Sequence, residues 1–450
     1  MSVEGYREQF AAARGDLAGA DLGWLADLRG QAFDQFARDG FPSIKVEEWK
    51  YANLRPLAKT QYRPAGGGAA GLDAALKLAA MPADSHRIVF VNGRLRPDLS
   101  ALGDLPAGVT VTGLAATAAD HPDLLRRCLP SAAGLTEDRL SGIRDPRPFA
   151  MVAMNTAFAA DGVVVHLARD ASAELPIHVV HLAAPEGADE MIQVRNLIVA
   201  EEGSAAMIVE TYAAAGRGGY FTNAVTQVFA AKDAHIRHHR LQTEAFDAFH
   251  IATTLAHLDE AAAYDSFVLS LGGAFARNEI RVALDGEHVH CRLNGAYLGR
   301  GKQHLDNWTR VDHLKPNGTF SETYKSVLDD SARGAFQGKI RVWPGADKTN
   351  ATQLNKNLLL SAKARADSKP ELEILADDVR CAHGTTVGEI DETALFYLRA
   401  RGIDAARARD LLIAAFIGDL IDHIGYGTAQ DYFRAAATGW LDHLHDGAAA

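Results

Sequence analysis

The chain has 450 residues, of which 48% are hydrophobic and 23% charged, with a formal net charge of -11. That is ordinary globular composition with ample apolar material for a large core, and the acidic balance argues against a protein that tracks nucleic-acid phosphates. Three widely separated cysteines, Cys128, Cys291 and Cys381, exclude a disulfide framework and fit a reducing compartment.

The N-terminus, MSVEGYREQF, reads as carrying no signal peptide. No run approaches the roughly 20 apolar residues that cross a bilayer, so a cytoplasmic protein is expected. Leu25, Leu28, Ala32, Phe33 and Phe36 share one face of a helix, with Asp21 as a candidate cap and Gly40 followed by Pro42 as its stop. Glu47-Glu48-Trp49-Lys50-Tyr51 is a charged and aromatic cluster that reads, from its residues alone, as a packing corner. Residues 64–71, PAGGGAAG, read as a flexible linker. A strand, Ile88 to Val91, then enters an Asn92-Gly93 turn.

From about Met151 to Val379 strand-like segments follow one another. Ile280, Val282 and Leu284 alternate with polar or small neighbours, as do Val289, Cys291 and Leu293, and Ile340 and Val342. Short acidic or glycine-bearing breaks at Glu202-Gly203, Asp233, Glu260 and Gly286 recur at intervals of 31, 27 and 26 residues. Such intervals suggest stacked coils, as in a β-helix. A β-sandwich also uses many short strands, and periodicity does not choose between them. The end is helical: Asp391 caps one segment, and Asp404 caps a second that carries Leu412, Phe416 and Leu420 and is apolar around much of its circumference.

No phosphate-binding loop, Gly-x-Ser-x-Gly elbow or Cys-x-x-Cys pair is present. His235, His238, His239, His250 and His257 lie close in sequence, but without recurring ligand spacing they read as a histidine-rich strand face. Cys381-Ala382-His383 is the sharper candidate, because residues two apart on a strand share a face and both side chains ligate borderline metals. Two ligands do not close a metal site, and spacing alone favours a buried cysteine beside a surface histidine.

The stretch Ser368 to Ile403, together with ADKTN (346–350), QLNKNLLLS (353–361), EEWKYANLRPL (47–57) and VFVNGRLRPDLS (89–100), resembles the SufB/SufD family of the SUF iron–sulfur cluster assembly system. Cys-Ala-His-Gly at 381–384, and the lack of cysteine before Cys128, resemble the SufD branch rather than the SufB branch. The resemblance implies a mainly β protein with a right-handed parallel β-helix core at 131–385, an N-terminal helical region at 1–130 and a C-terminal helical domain at 386–450. It implies a scaffold that is not itself an enzyme. It would pair with SufB through the β-helix core and bind the SufC ATPase through the C-terminal helices, with Phe396, Leu412, Phe416 and Leu420 as the contact candidates. His383 and Cys381 would then meet iron or a nascent Fe-S cluster at the SufB interface, opened when ATP draws two SufC subunits together. Reduced flavin, FADH2, in the assembled complex also belongs to what the resemblance allows; no residue pattern here speaks for it. Two readings stay open beside this one: a metal-binding homodimer acting without SufB, and a carbohydrate-active β-helix enzyme.

Overall fold

The computed structural model describes residues 3–68, 71–81, 84–129, 149–187, 189–216 and 218–446, with the side chains of 443–446 excepted. Between Val163 and Gly388 the chain runs as one strand after another, and consecutive strands fall in opposite sheets. Within this run, strands two apart pair in parallel, from Val163–Leu167 and Ile177–Ala183 to the last strand of each sheet. The product is a β-solenoid of about 8 turns, flanked by helices at both ends of the chain. A sandwich of hairpins would need antiparallel neighbours, so the parallel register excludes it.

The coil length explains the recurring breaks. Ala200, Ala230, Leu258, Leu284, His313, Val342 and Ile374 stack as registered partners, giving coils of 30, 28, 26, 29, 29 and 32 residues. Gly203, Asp233 and Ala261 stand at equivalent corners with φ of 69°, 56° and 53°. Each donates its N–H to the next coil, at Lys232, Glu260 and Glu287 respectively. The left-handed backbone turns the chain sharply there; glycine takes it without strain and aspartate tolerates it, whereas Ala261 stands there with a Cβ.

Ile280, Val282, Leu293, Val311, Phe320 and Ile340 point into the solenoid and stack there with Cys291. The alternation in the sequence thus marks the inward face. The outward face of the sheet containing Phe275–Leu284 is buried as well. Arg277 and Glu279 lie there under the N-terminal segment, with Arg277 bonded to Glu279, Asp306 and the Glu48 carbonyl, and its guanidinium 4.1 Å from the Trp49 ring. Glu47-Glu48-Trp49 therefore clamps the N-terminal region to the later coils.

Three expectations are corrected. The PAGGGAAG stretch, where it is described, is not a loose linker: Arg63 and Pro64 pair with Glu190 and Met191, and Asn92 donates to Gly66 O at 2.7 Å. At Gly68 a Cβ would fall 1.8 Å from Ala184 O, so contact rather than flexibility calls for glycine. The strand texture from Met151 begins instead with a helix, Ala150–Phe158, whose every residue is buried. An element buried all round carries no periodic stripe to reveal it. Helix Gly23–Asp39 starts at Leu22 without a side-chain cap from Asp21, although Gly40 ends it at φ 65°.

The start of the 131–385 interval falls outside the described residues. Strand His86–Val91 pairs in parallel with Ile177–Ala183, and Val109–Gly113 pairs antiparallel with Val163–Leu167, so the region before it contributes the first coil. Asn92-Gly93 forms the expected two-residue turn, with Val91 opposite Arg94. Among the described residues, no helix is long and apolar enough to cross a membrane.

Candidate metal-accepting edge

The two ends of the solenoid differ. The first coil is capped by the antiparallel strands Arg94–Leu95 and Val109–Gly113. At the other end, Arg365–Ile374 and Arg380–Gly388 are the last strands of their sheets. Among the described residues each pairs on one side only, so the other side presents a row of backbone N–H and C=O groups with no described strand beside it. Such an edge is a template for another chain. Apolar side chains accompany it: Leu354, Ile374 and Leu375 are exposed, and Val387 is 55% exposed.

Cys381 and His383 both lie on this terminal strand. Cys381 continues an inward column through Ala351, Phe320 and Cys291 and packs partly against the solenoid core. It is half-buried, and burial pushes its thiol up. His383 stands two residues on, opposite Gln353, and is exposed. Across the mouth, Thr385 donates to Ser368 at 3.0 Å, so the two terminal strands face each other over the open lumen. The strand thus carries a thiol and an imidazole in alternate positions of its inward register, with no further coil above them. Among the described residues, no group of three or more His, Cys, Asp or Glu is placed to hold a metal ion.

Glu322 and Gln353 belong to the same column, and sequence reasoning missed them. Glu322 is registered with Gln353, and Gln353 with His383. Gln353 Nε2 donates to Glu322 Oε2 at 2.8 Å, while Glu322 Oε1 has no partner among the described residues. The signal that could have found them is the coil length, which places a column mate about 30 residues upstream. Burial pushes Glu322 up to about 7 from its ordinary 4.5, and the Gln353 and Thr309 side chains offset this only in part. With the folded pKa above the unfolded one, the folded protein holds the extra proton between those values, so stability falls as pH rises through that window. Glu322→Gln is therefore expected to match the parent at pH 4 and exceed it by up to about 3 kcal/mol at pH 8. Urea denaturation at the two pH values checks this, and an unchanged pH slope would contradict it.

The histidine-rich segment does not converge. The pleat sends neighbouring residues to opposite faces. His238 points inward, 3.0 Å from Glu210 and 2.9 Å from Tyr264, whereas His239 is buried beside Phe433 of the last helix. Burial alone would raise the Glu210 carboxyl, but Arg240 and His238 hold it well below its ordinary value. His257 pairs with Asp285 at 3.1 Å, and His235 is exposed.

At the C-terminal helices, Asp391 accepts from Thr393 and Ala394 N–H, and Asp404 from Arg407 N–H, as expected of N-caps. Helix Ala405–Asp422 lays Ile413, Ile417, Leu420 and Ile421 on the sheet, packed with Val327, Leu298 and Leu358. Leu420 is only 3% exposed, so it belongs to the chain's own core rather than to a docking surface. Phe416 is half-buried, with Lys325 Nζ 5.0 Å from its ring and bonded to Asp419 at 2.6 Å. Leu412 is half-buried, and Phe396 is 73% exposed beside exposed Tyr397.

Comparison with known proteins gives two family matches that together cover most of the chain. Residues 182–416 match the family described as SUF system FeS cluster assembly, SufBD core domain. Residues 1–179 match the SufBD protein N-terminal region. Among similar proteins, an iron–sulfur cluster assembly SufBD family protein of Synechocystis is 30% identical over 93% of this chain and 91% of its own length. The iron–sulfur cluster assembly protein SufD of Escherichia coli is 31% identical over 87% of each chain. The protein of the same name from Bacillus subtilis is 25% identical over 89% of this chain and 90% of its own.

Proposed function

Since the chain belongs to the SufBD family of iron–sulfur cluster assembly proteins, we propose that it is a cytoplasmic, non-catalytic scaffold whose open solenoid end supplies part of a cluster-assembly site. The observation that carries this reading is the terminal strand Arg380–Gly388, which holds Cys381 and His383 on an edge with no strand beyond it among the described residues. Iron and sulfide are the cargo of such a site. A thiol and an imidazole suit iron, and two ligands leave the rest of the coordination to another polypeptide.

The partner for that edge is SufB, whose own solenoid would complete the ligand set. The fit rests on the unpaired backbone and the apolar Ile374, Leu375 and Val387 around it. SufC is the ATPase partner of the C-terminal helices. ATP-driven approach of two SufC subunits would pull on helix Ala405–Asp422, which is tied to the sheet through Lys325 and Asp419. That pull opens the edge to iron and sulfide.

The SufC surface is expected to centre on Phe396 and Tyr397, with half-buried Leu412 and Phe416 behind them. Phe396→Ser together with Tyr397→Ser should weaken SufC binding by roughly tenfold or more with no change in melting temperature, since neither side chain is buried. Calorimetric titration with SufC checks it, and unchanged affinity would contradict it. The scaffold role is tested by co-expressing the chain with SufB and SufC and measuring iron and labile sulfide. A complex that forms without Arg380–Gly388 at its interface would overturn the reading.

A further inference from the structure

The sheet that ends in Arg380–Gly388 carries a groove of about 560 Å³ on its outward face, near the starts of its strands. That is within the range of small-molecule sites. Its floor includes the first residues of His235–Gln242, Ala263–Ser270 and His290–Gly299. Tyr426, from the turn that follows helix Ala405–Asp422, also lines it. A Cβ added at Gly425 would lie 3.8 Å from Arg237 Cζ, so that guanidinium reaches the same turn.

The register sets its charges in two rungs. Ile236 packs into the solenoid, so His235 and Arg237 on either side of it face outward. One strand on, Ala263 and Asp265 hold the equivalent positions, and two strands on, His290 and Arg292 hold them. At roughly 4.8 Å per strand, the two basic pairs stand about 10 Å apart. The small Ala263 side chain lies between the two imidazole positions. His235, Arg237 and His290 are exposed, and none of their side chains makes a hydrogen bond or salt bridge among the described residues. Arg292 pairs with Asp265 at 3.1 Å, which holds that guanidinium in the groove and occupies the carboxylate between the rungs. Glu174, exposed at the end of the groove nearest Ile177–Ala183, is the other carboxylate on its lining. The chain as a whole carries a net charge of -11 and repels anions, so these rungs are a local exception.

We propose that this groove binds a small elongated molecule with an anionic oxygen group, phosphate or carboxylate, at each end. One group sits on Arg237 and His235, the other on Arg292 and His290, and an uncharged middle crosses Ala263. Guanidiniums bond such oxygens in pairs, and imidazole N–H groups add further donors. The groove opens on the outside of the solenoid, whereas Cys381 and His383 belong to the inward register at its end, so a ligand here needs neither of them.

The test is calorimetric titration of the full chain with hexane-1,6-bisphosphonate and with octanedioate, two dianions that share one methylene bridge. The tighter of the two identifies the terminal group, phosphate or carboxylate, and should bind once per chain. Its one-ended counterpart, hexylphosphonate or octanoate, should bind more weakly by roughly tenfold or more, because only one rung is engaged. Arg237→Gln and His290→Gln, one from each rung, should each weaken the dianion by roughly threefold to tenfold. Their melting temperatures should not change, since both side chains are exposed and unpaired. Lys302→Gln, which removes an exposed cation outside the groove, should leave the affinity as it was. Equal affinity of the dianion and its one-ended counterpart, unchanged affinity in Arg237→Gln or His290→Gln, loss of binding in Lys302→Gln, or no binding of either dianion would each overturn the assignment.

Discussion

Replacing His383 by alanine is expected to leave the fold and partner association unchanged and to lower the maturation of iron–sulfur enzymes in cells by at least about tenfold. The imidazole is exposed on the last coil and makes no hydrogen bond among the described residues, so its removal costs little stability. What it removes is one ligand from an edge that offers two. Cys381→Ala is expected to be milder. Its thiol is half-buried against the solenoid core, where burial keeps it protonated and less ready to ligate. The measurement is the activity of an iron–sulfur enzyme in cells whose own copy of the gene is replaced by the variant. Normal maturation with His383→Ala would contradict the assignment.

The largest effect on stability is expected at Arg277, far from that edge. Arg277, Glu279 and Asp306 are all buried, and the guanidinium bonds both carboxylates as well as the Glu48 carbonyl while covering the Trp49 ring. Burial would raise Glu279, but Arg281 and Arg277 hold it below its ordinary value. Glu279 keeps Arg281 at 2.7 Å if Arg277 is lost, whereas Asp306 would be left as an uncompensated buried charge. Arg277→Ala should therefore cost about 3–5 kcal/mol, read from urea unfolding. Arg277→Leu combined with Asp306→Leu should recover most of it, because removing both charges removes the desolvation as well. A loss below about 1 kcal/mol for Arg277→Ala would show that the N-terminal clamp is held by other contacts.

Much of this architecture was readable from the chain. The breaks at Gly203 and Asp233 mark left-handed corners, which restrict the residues that stand there, and the break at Glu260 lies one residue before the corner at Ala261. Asp391, Asp404 and Asn92-Gly93 are local signals with local causes, and they act where they were expected. The features that escaped are non-local. Strand His86–Val91 joins a sheet begun about ninety residues later, and no periodicity in six residues encodes that partner. Glu47-Glu48-Trp49 reads as a packing corner until Arg277 and Gln337 are seen against it, 229 and 290 residues away. Glu322 and Gln353 escaped because coils of 26 to 32 residues place column mates only approximately, so the interval narrows the search without naming the residue. At the candidate site, the strand geometry of Cys381 and His383 follows from their spacing. That the strand ends a sheet is a property of the whole solenoid, which no local pattern contains. The apolar circumference of helix Ala405–Asp422 likewise does not say which face meets the chain's own sheet, and Leu420 proves to lie on that face.

The most direct test of the central claim is spectroscopic. The chain, labelled with ¹⁵N-histidine, would be combined with unlabelled SufB and SufC and loaded with iron and sulfide, and the reduced cluster examined by pulsed electron paramagnetic resonance. A ¹⁵N coupling that disappears in His383→Gln, with no cluster held by the isolated chain, is the expected result. A cluster without ¹⁵N coupling, or one bound fully by this chain alone, would contradict an edge that only a second polypeptide completes.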